Sequence, residues 1–349
     1  MHASQILIAL LVSGIPSTLA ATIPGSFISR SSAPELSKLA IQPPFSEKDQ
    51  NVDLQADLPT RPWRYETWPQ FWIPKSCREE ADVNKLNPTE FEVRDIWYED
   101  CAAAWTVCRH GRAIESWDSI LTTLGQVPVG MRQHVSNVLI LPGRADAISS
   151  AAAYTRGSVL VFAPSFFKLG VLVHEFTHIL DMVSLQSVVR ANGYAEGTPF
   201  SRTKMWTSAY GNDTNVPTPY SRITWQEDFA DAGRWAMSDM THRGGLAAYS
   251  AGWTGCRHQI AAYKAVLGNL IFPGSGRCFG KIDTSRPVPV VLSNGDKDET
   301  VLAAAEAKKP VGNLVGTGVE SIVLPPGAED MLFVHRGAGA NEVRTYLPS

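Results

Sequence analysis

The chain has 349 residues, of which 44% are hydrophobic and 19% charged, a balance typical of a globular protein with a substantial core. Its formal net charge is −3 and its sequence isoelectric point is about 6.3. These values exclude the strongly basic surface that binds nucleic acid or anionic membranes, so we expect neither as a partner.

Two features predict secretion. Residues 1–20 are typical of a signal peptide, because an apolar run from Ile6 to Val12 precedes a small-residue cleavage site at Ala20. The run is too short to span a bilayer, although a buried N-terminal helix is the alternative. Asn212, followed by Asp and Thr, is an acceptor for N-glycosylation in a polar loop. We therefore expect a soluble, monomeric extracellular protein.

Composition divides the rest of the chain into three parts. Residues 21–60 are polar and rich in Ser and Pro, which predicts a flexible leader or a pro-segment. Residues 61–280 begin with a dense group of aromatic side chains and form the predicted main domain. Residues 281–349 hold short β-like runs between Gly and Pro turns, which predicts a small β appendage or a tail.

The five cysteines suit an oxidising compartment, and none has the C-x-x-C spacing of a thiolate zinc site. We expect Cys101–Cys108 and Cys256–Cys278 disulfides, because each would close a short local loop. Cys77 is then left unpaired, either buried or available for a disulfide-linked dimer.

Helical and strand patterns mix along the main domain, which predicts an α+β fold. Strands are predicted by alternating or short apolar runs, and helices by apolar periodicity, in the order Phe91–Tyr98 (strand), Ser116–Leu124 (helix), Val138–Leu141 (strand), Ser158–Phe162 (strand), Val171–Asp181 (helix), Thr224–Met240 (helix) and Ile260–Leu270 (helix). The strand Ser158–Phe162, which precedes the helix Val171–Asp181, could offer an edge on which an extended peptide pairs.

The helix at Val171–Asp181 contains an H-E-x-x-H pattern at His174, Glu175 and His178. Residues four apart lie on one helix face, so the two imidazoles can bind one metal ion. Glu175 lies beside that face, where a general base takes a proton from an attacking water. The alternative is a helix with two hydrogen-bonded histidines near the core.

A third ligand is needed for a catalytic zinc, and the helix from Thr224 offers one. Glu227 and Asp231 are four residues apart and share a helix face. Glu227 would complete a His₂Glu site, and Asp231 would accept the second ring N–H of a ligating histidine. The alternative for this pair is an ordinary solvated acidic face.

Tyr220 lies seven residues before Glu227. A phenol close to the metal would donate a hydrogen bond to the oxyanion of a tetrahedral intermediate. The alternative for this residue is a role in packing.

These motifs carry a resemblance to known proteins. The order H-E-F-x-H, a wide loop and Tyr220 through Asp231 resembles the gluzincin peptidases, in particular the anthrax lethal factor group. A closer similarity is to the secreted fungal family of conidiation-specific protein 13, at Trp97 through His110, at Gly197 through Ser201 and again at Tyr220 through Asp231. This similarity extends over roughly residues 72–256.

The resemblance implies a zincin-like domain, with a short twisted sheet packed on the motif helix and a second helix supplying the Glu ligand. It implies zinc ligands His174, His178 and Glu227, with Glu175 as general base and Tyr220 as oxyanion donor. The expected function is a secreted zinc metallopeptidase acting on peptide or protein substrates. The alternatives are a non-catalytic developmental or spore-surface protein with a structural zinc, and an interaction protein without metal.

Overall fold

The computed structural model describes residues 35–143, 152–273 and 278–290. The predicted signal peptide and residues 291–349 lie outside these ranges. Within them, no helix has the length and apolar character needed to cross a membrane.

Strands and helices mix throughout the described chain. The strands are β1 (Trp63–Thr67), β2 (Trp72–Pro74), β3 (Phe91–Tyr98), β4 (Trp105–His110), β5 (Asn137–Ile140), β6 (Ala153–Arg156), β7 (Val159–Phe162) and β8 (Pro287–Pro289). The helices are α1 (Glu47–Asp57), α2 (Lys75–Val83), α3 (Trp117–Gln126), α4 (Val129–Arg132), α5 (Leu169–Ile179), α6 (Gln186–Ala191), α7 (Lys204–Asn212), α8 (Trp225–Thr241) and α9 (Arg257–Ile271).

The main sheet is mixed, with the strand order β1-β3-β4-β5-β7-β6. The central pairs β4–β5 and β5–β7 are parallel, whereas β1–β3, β3–β4 and β6–β7 are antiparallel. A small antiparallel sheet joins β2 to β8. The architecture is therefore α+β.

Strand β7, which was predicted to offer a peptide-binding edge, is internal to the sheet. It pairs with β5 on one side and with β6 on the other, with Leu160 opposite both Val138 and Thr155. A tight turn at Gly157, with a φ of +58°, folds β6 back as a hairpin, and glycine adopts this backbone conformation without steric cost. Among the described residues, β6 is thus the edge strand of this sheet, and it lies next to α5.

The sheet has an apolar core on each face because side chains alternate along its strands. Val138 and Ile140 face the main core, which α3, α5, α8 and α9 cover, whereas Leu139 and Leu141 face a smaller second core under α2 and β2. Trp105 of the main core is fully buried. Truncating a ring of this kind to Ala costs about 3–5 kcal/mol.

The disulfides join Cys77 to Cys108 and Cys101 to Cys278, so both predicted pairs are wrong. Cys101 lies at the main core and Cys108 on the opposite face of the sheet, in the second core with Cys77. Two cysteines on opposite faces cannot meet, however close they are in sequence. Cys256 is a buried free thiol.

Residues 35–60, predicted as part of a flexible leader, instead belong to the folded domain. Phe45 and Leu54 are buried in the main core, and the Ser46 hydroxyl caps the N-terminus of α1. The absence of a long apolar stripe in this segment hid its role, since a few well-placed side chains anchor it. The part of the predicted leader before residue 35 lies outside the described residues.

The predicted boundary at residues 280/281 falls within packed structure. Strand β8 pairs with β2, and the Lys281 side chain is buried. The backbone amides of Phe279 and Ile282 donate to the side chain and the carbonyl of Gln133, respectively. Residues 278–290 are therefore a strap across the main domain rather than part of an appendage.

Candidate metal centre

Helix α5 presents His174 and His178 from a buried position next to α8. The two rings lie one turn apart with centroids 4.8 Å apart, nearly perpendicular to each other. Near the start of the helix, the backbone N–H of Gly170, which has no partner within the helix, donates to Asn51 Oδ1 at 2.8 Å. The predicted helix is thus present, with its histidines on one face.

Helix α8 brings the third donor. The Thr224 hydroxyl caps its first turn by accepting from the Glu227 N–H at 3.2 Å, which places the Glu227 side chain at the start of the helix. Close approach to α5 depends on Gly233, where a Cβ would lie 2.5 Å from Thr177 Oγ1 and 2.7 Å from the Tyr263 hydroxyl. A side chain at this position would force Thr177, Tyr263 or the helices that carry them to shift.

The three candidate ligands converge. Glu227 Oε2 lies 3.0 Å from His174 Nε2 and 3.3 Å from His178 Nε2, and the three donor atoms lie within 4.8 Å of one another. Tetrahedral zinc with bonds of ~2.0–2.1 Å places its ligands roughly 3.3 Å apart. Two imidazole nitrogens and one carboxylate oxygen, all from buried residues, fit such an ion.

Glu227, Asp228 and Asp231 are all buried, which excludes the solvated acidic face considered for this helix. Asp228 points away from the histidines, since its Oδ2 accepts from the indole N–H of Trp206 at 3.0 Å and from Gln259. The two carboxylates that face His174 are therefore those of Glu227 and Asp231.

Asp231 contacts the histidine ring from behind. Its Oδ1 lies 3.2 Å from His174 Nδ1 and 2.8 Å from Arg234 Nε, while its Oδ2 accepts from the hydroxyls of Thr218 and Ser221. Burial raises the pKa of Asp231, but Arg234 and the other donors outweigh burial and hold the pKa below its usual range. A charged Asp231 can accept the N–H at Nδ1 of His174, and the other ring nitrogen, Nε2, then faces Glu227 and His178.

The surroundings of both imidazoles favour the protonated form when no metal competes. Burial lowers the pKa of His174, but hydrogen bonds to Asp231 and Glu227 outweigh it and raise the pKa to about 10. The pKa of His178 is also raised, because the Glu227 charge outweighs burial. A cluster that stabilises positive charge to this extent is suited to holding a cation.

Glu175 is buried beside these ligands, at 6% exposure. Its Oε2 has no hydrogen-bond partner among the described residues. Burial raises the pKa of this carboxyl, and the neighbouring histidines only partly offset the effect. A carboxyl with a raised pKa next to the ligand pair has the properties of a general base.

Tyr220 lies at the mouth of the cluster, with 46% of its surface exposed, rather than in the core. Its ring centroid is 5.7 Å from that of His174. The turn Tyr220–Arg222 is held by Thr218, whose hydroxyl accepts from the Tyr220 N–H at 3.1 Å and bonds to Asp231. This exposure argues against the alternative of a core packing residue and places the ring next to His174.

Sequence reasoning missed the groups that hold Asp231. Arg234 follows it by three residues on the same helix, a spacing that could have indicated an ion pair. Thr218 and Ser221 come from a loop with no local pattern that could have shown their role.

The glycosylation acceptor Asn212 lies at the C-terminal end of α7 and is exposed. In contrast to Asn212, the next residue, Asp213, is buried. Its carboxylate accepts from the backbone N–H groups of His258 and Gln259 at 2.8 Å each. The sequon is thus accessible to a glycan without disturbing that contact.

Comparison with known proteins places this site in a family. The profile of a family described as "Conidiation-specific protein Con-13" matches residues 45–268, a range that includes every ligand candidate. Conidiation-specific protein 13 of Neurospora crassa is 31% identical over 195 residues, which are 55% of this chain and 54% of that protein. The match thus spans about half the length of that relative. No solved structure matches the chain.

Proposed function

The chain belongs to the Conidiation-specific protein Con-13 family, and we propose that it is a secreted, zinc-dependent metallopeptidase. The convergence of His174, His178 and Glu227 within 4.8 Å, beside the unpartnered buried carboxyl of Glu175, carries this proposal. Burying a carboxyl oxygen without a hydrogen bond destabilises the fold, and buried titratable groups of this kind are concentrated at functional sites.

In the proposed reaction, each residue of the site has a separate role in peptide hydrolysis. When bound, zinc supplies a Lewis acid that polarises the carbonyl and lowers the pKa of water to about 7. Glu175 accepts a proton from the attacking water and returns it to the leaving amine. Tyr220 donates a hydrogen bond to the developing oxyanion from the mouth of the site. Asp231 keeps His174 in the required tautomer.

An extended peptide would pair with the outer edge of β6. Ala153 and Thr155 alternate there with Tyr154 and Arg156, whose side chains contact Glu80 on the α2 side of the sheet. The backbone edge of β6 would supply hydrogen bonds to substrate next to α5. This role replaces the one first predicted for β7.

The resemblance to gluzincins supports the same assignment. The spacing from Tyr220 to Glu227 and on to Asp231 follows the pattern of the anthrax lethal factor group, and we extend the zincin-like fold to this chain on that ground. The predicted signal peptide and the cysteines, four of which are paired, favour an extracellular location.

A second candidate function is that of a non-catalytic developmental or spore-surface protein with a structural zinc. The comparisons favour it, since the names of the family and of the Neurospora relative refer to conidiation and not to proteolysis. In that case a fourth protein group would close the coordination sphere, whereas a catalytic site keeps one position open.

Metal content and peptide cleavage distinguish the two candidates. We would measure zinc by elemental analysis of the purified secreted protein and digest a broad peptide library with wild type, Glu175→Gln and the exposed control Glu66→Gln. The peptidase proposal expects one zinc per chain in all three proteins, with cleavage lost only in Glu175→Gln. One zinc without cleavage would favour the structural site, and absence of zinc would overturn both.

A further inference from the structure

Helix α1 contacts both helices of the metal centre. Asn51 Oδ1 accepts from the Gly170 N–H at the start of α5, at 2.8 Å. The neighbouring α1 residue Gln50 contacts α8 instead. Its Nε2 donates to the Ser238 hydroxyl at 2.9 Å and to the Arg234 carbonyl at 3.1 Å. Gln50 is fully buried, so these bonds form away from water and strongly define where α1 sits.

A line of charged groups runs from α1 to the first zinc ligand. Glu47 Oε1 lies 2.7 Å from Arg234 Nη2, and Arg234 Nε lies 2.8 Å from Asp231 Oδ1. Asp231 in turn lies 3.2 Å from His174 Nδ1. Arg234 presents two different nitrogens of its planar guanidinium to the two carboxylates: Nη2 donates a hydrogen bond to Glu47, and Nε forms a close ion pair with Asp231.

Burial makes the ion pair between Arg234 and Asp231 stronger than the one between Arg234 and Glu47. The side chains of Arg234 and Asp231 are 8% and 0% exposed, whereas that of Glu47 is 59% exposed. Without Arg234, the Asp231 carboxylate would lose its nearest counter-charge in a buried place, which is strongly unfavourable. It would turn or take up a proton, and His174 would lose its partner.

We propose that Arg234 is a positioning residue that orients His174 for zinc through Asp231, and that α1 is an obligatory part of the metal centre. This inference rests on the proposed zinc site. Detaching α1 would weaken zinc binding, so the segment from residue 35 to 60 is not an inhibitory pro-segment whose removal activates the protein.

Zinc affinity of the full chain tests the role of Arg234. The apoprotein, prepared with a chelator, is titrated with zinc against a chromophoric competitor in wild type and in Arg234→Met. We expect the affinity to fall about 10- to 100-fold, the usual effect of losing a group that orients a ligand. The visible absorption of the Co²⁺-loaded proteins should change as well, because the His174 nitrogen would no longer be aligned.

A surface pair of variants avoids the risk that Arg234→Met does not fold. Glu47→Lys places a cation beside Arg234, while Asp49→Lys makes the same charge change in the same turn of α1, where Asp49 is exposed. We expect Glu47→Lys to weaken zinc binding by at least about threefold, the scale of a partly exposed ion pair, and Asp49→Lys to leave it unchanged.

The outcomes separate this inference from the proposed function. Stoichiometric zinc in wild type, with unchanged affinity in Arg234→Met and Glu47→Lys, would overturn the inference alone. The same holds if the melting temperature of the apoprotein falls in both variants while zinc affinity and the Co²⁺ spectrum stay at wild-type values. A wild-type protein that binds no zinc would overturn the proposed function and this inference together.

Discussion

Glu175 and Glu227 are carboxyls of the same type, both buried, whose pKa values move in opposite directions. Burial raises the pKa of Glu175, where the histidines only partly offset it, whereas at Glu227 the charge and hydrogen bonds of the histidines outweigh burial and lower it. Two carboxyls separated in this way suit different tasks, one exchanging protons and the other remaining charged as a ligand. At the scale of the residue, the surroundings of each glutamate, and not its residue type, determine the direction in which its pKa moves.

Tyr220 provides the first prediction at this scale. If its phenol binds the oxyanion, Tyr220→Phe will lower kcat/KM about 10²–10³-fold, as for the loss of one oxyanion donor. Zinc affinity should not change, because the residue is 46% exposed and is not a ligand. Steady-state kinetics and a zinc titration check both parts, with exposed Tyr65→Phe as the control. Equal loss of zinc and activity would contradict the assignment.

His134 provides a prediction about pH. It is buried, its Nε2 has no partner among the described residues, and burial lowers its pKa from 6.5 to about 4. The folded state therefore disfavours protonation of His134. The contribution of the neutral His134 to the free energy of unfolding is fully present above pH 6.5 and is lost as the pH drops toward 4. The loss over that span is on the order of 3 kcal/mol, at ~1.4 kcal/mol per pH unit.

Urea unfolding of wild type and His134→Leu between pH 7 and 4 measures this effect. All other groups titrate alike in both proteins, so the difference between their unfolding free energies isolates His134. We expect the free energy of unfolding of His134→Leu to rise relative to that of wild type as the pH falls. A difference that is independent of pH would show that His134 is not the group responsible.

At the scale of the element, the packing of α5 against α8 determines whether the candidate ligands His174, His178 and Glu227 meet. Gly233→Ala places a methyl group about 2.5 Å from Thr177 Oγ1 and 2.7 Å from the Tyr263 hydroxyl, so these buried side chains or the helices that carry them must shift. We expect a loss of stability of about 1–3 kcal/mol together with weaker zinc binding. Gly211→Ala is the control, because it has open space on helix α7 and should be neutral or stabilising. Calorimetry and zinc titration would measure the two effects, and unchanged zinc affinity in Gly233→Ala would contradict the prediction.

Arg132 joins helix α3 to the β3–β4 connection. Its Nη1 donates to the carbonyls of Leu124 and Gly125, its Nη2 pairs with Asp100 at 2.5 Å, and its guanidinium stacks 4.4 Å from the Trp105 ring centroid. The carbonyls at the end of a helix and a carboxylate thus share one buried cation.

Removing this cation should be costly. We expect Arg132→Met to lower the free energy of unfolding by about 3–5 kcal/mol, because two buried carbonyls lose their donor and Asp100 keeps only the more distant Arg61, at 3.8 Å. Arg112→Met is the control, with a side chain that is 72% exposed, and should change it by less than about 0.5 kcal/mol. Urea denaturation compares the two variants, and similar values for both would contradict the expectation.

At the scale of the whole molecule, the disulfides connect segments that are distant in sequence. Cys101–Cys278 spans 177 residues and holds the C-terminal strap to the sheet, while Cys77–Cys108 joins α2 to β4. Cys256 is left out, fully buried, and its thiol donates to the Trp253 carbonyl at 3.3 Å. Burial also raises the pKa of this thiol, which makes it unreactive.

Peptide mapping without reduction tests this connectivity. We expect two linked peptide pairs, Cys77 with Cys108 and Cys101 with Cys278. Iodoacetamide should label Cys256 only after the protein is unfolded. A Cys101–Cys108 peptide, or labelling of Cys256 in the native protein, would contradict the fold around α9 and the strap.

The amino-acid sequence alone determined the features that depend on local spacing. The helix carrying His174 and His178, the placement of Glu227 and Asp231 on one helix face, and strands β3, β5 and β7 follow from periodicity and caps, which act over a few residues. Strands β1, β2, β4 and β6 were not predicted. Membership of a family could be inferred as well, because its motifs are short blocks such as Trp97 through His110.

Only the tertiary structure decided which distant groups meet. The face of the sheet on which Cys108 lies, the partners of Asp231 and the role of α1 depend on how elements pack, and no local pattern records this. Glu47 and Asn51 lie in a polar segment that sequence reasoning assigned to a leader, yet they contact both helices of the candidate metal centre. The physical reason is that long-range contacts are specified by the shape of the whole core, which many weak interactions determine together.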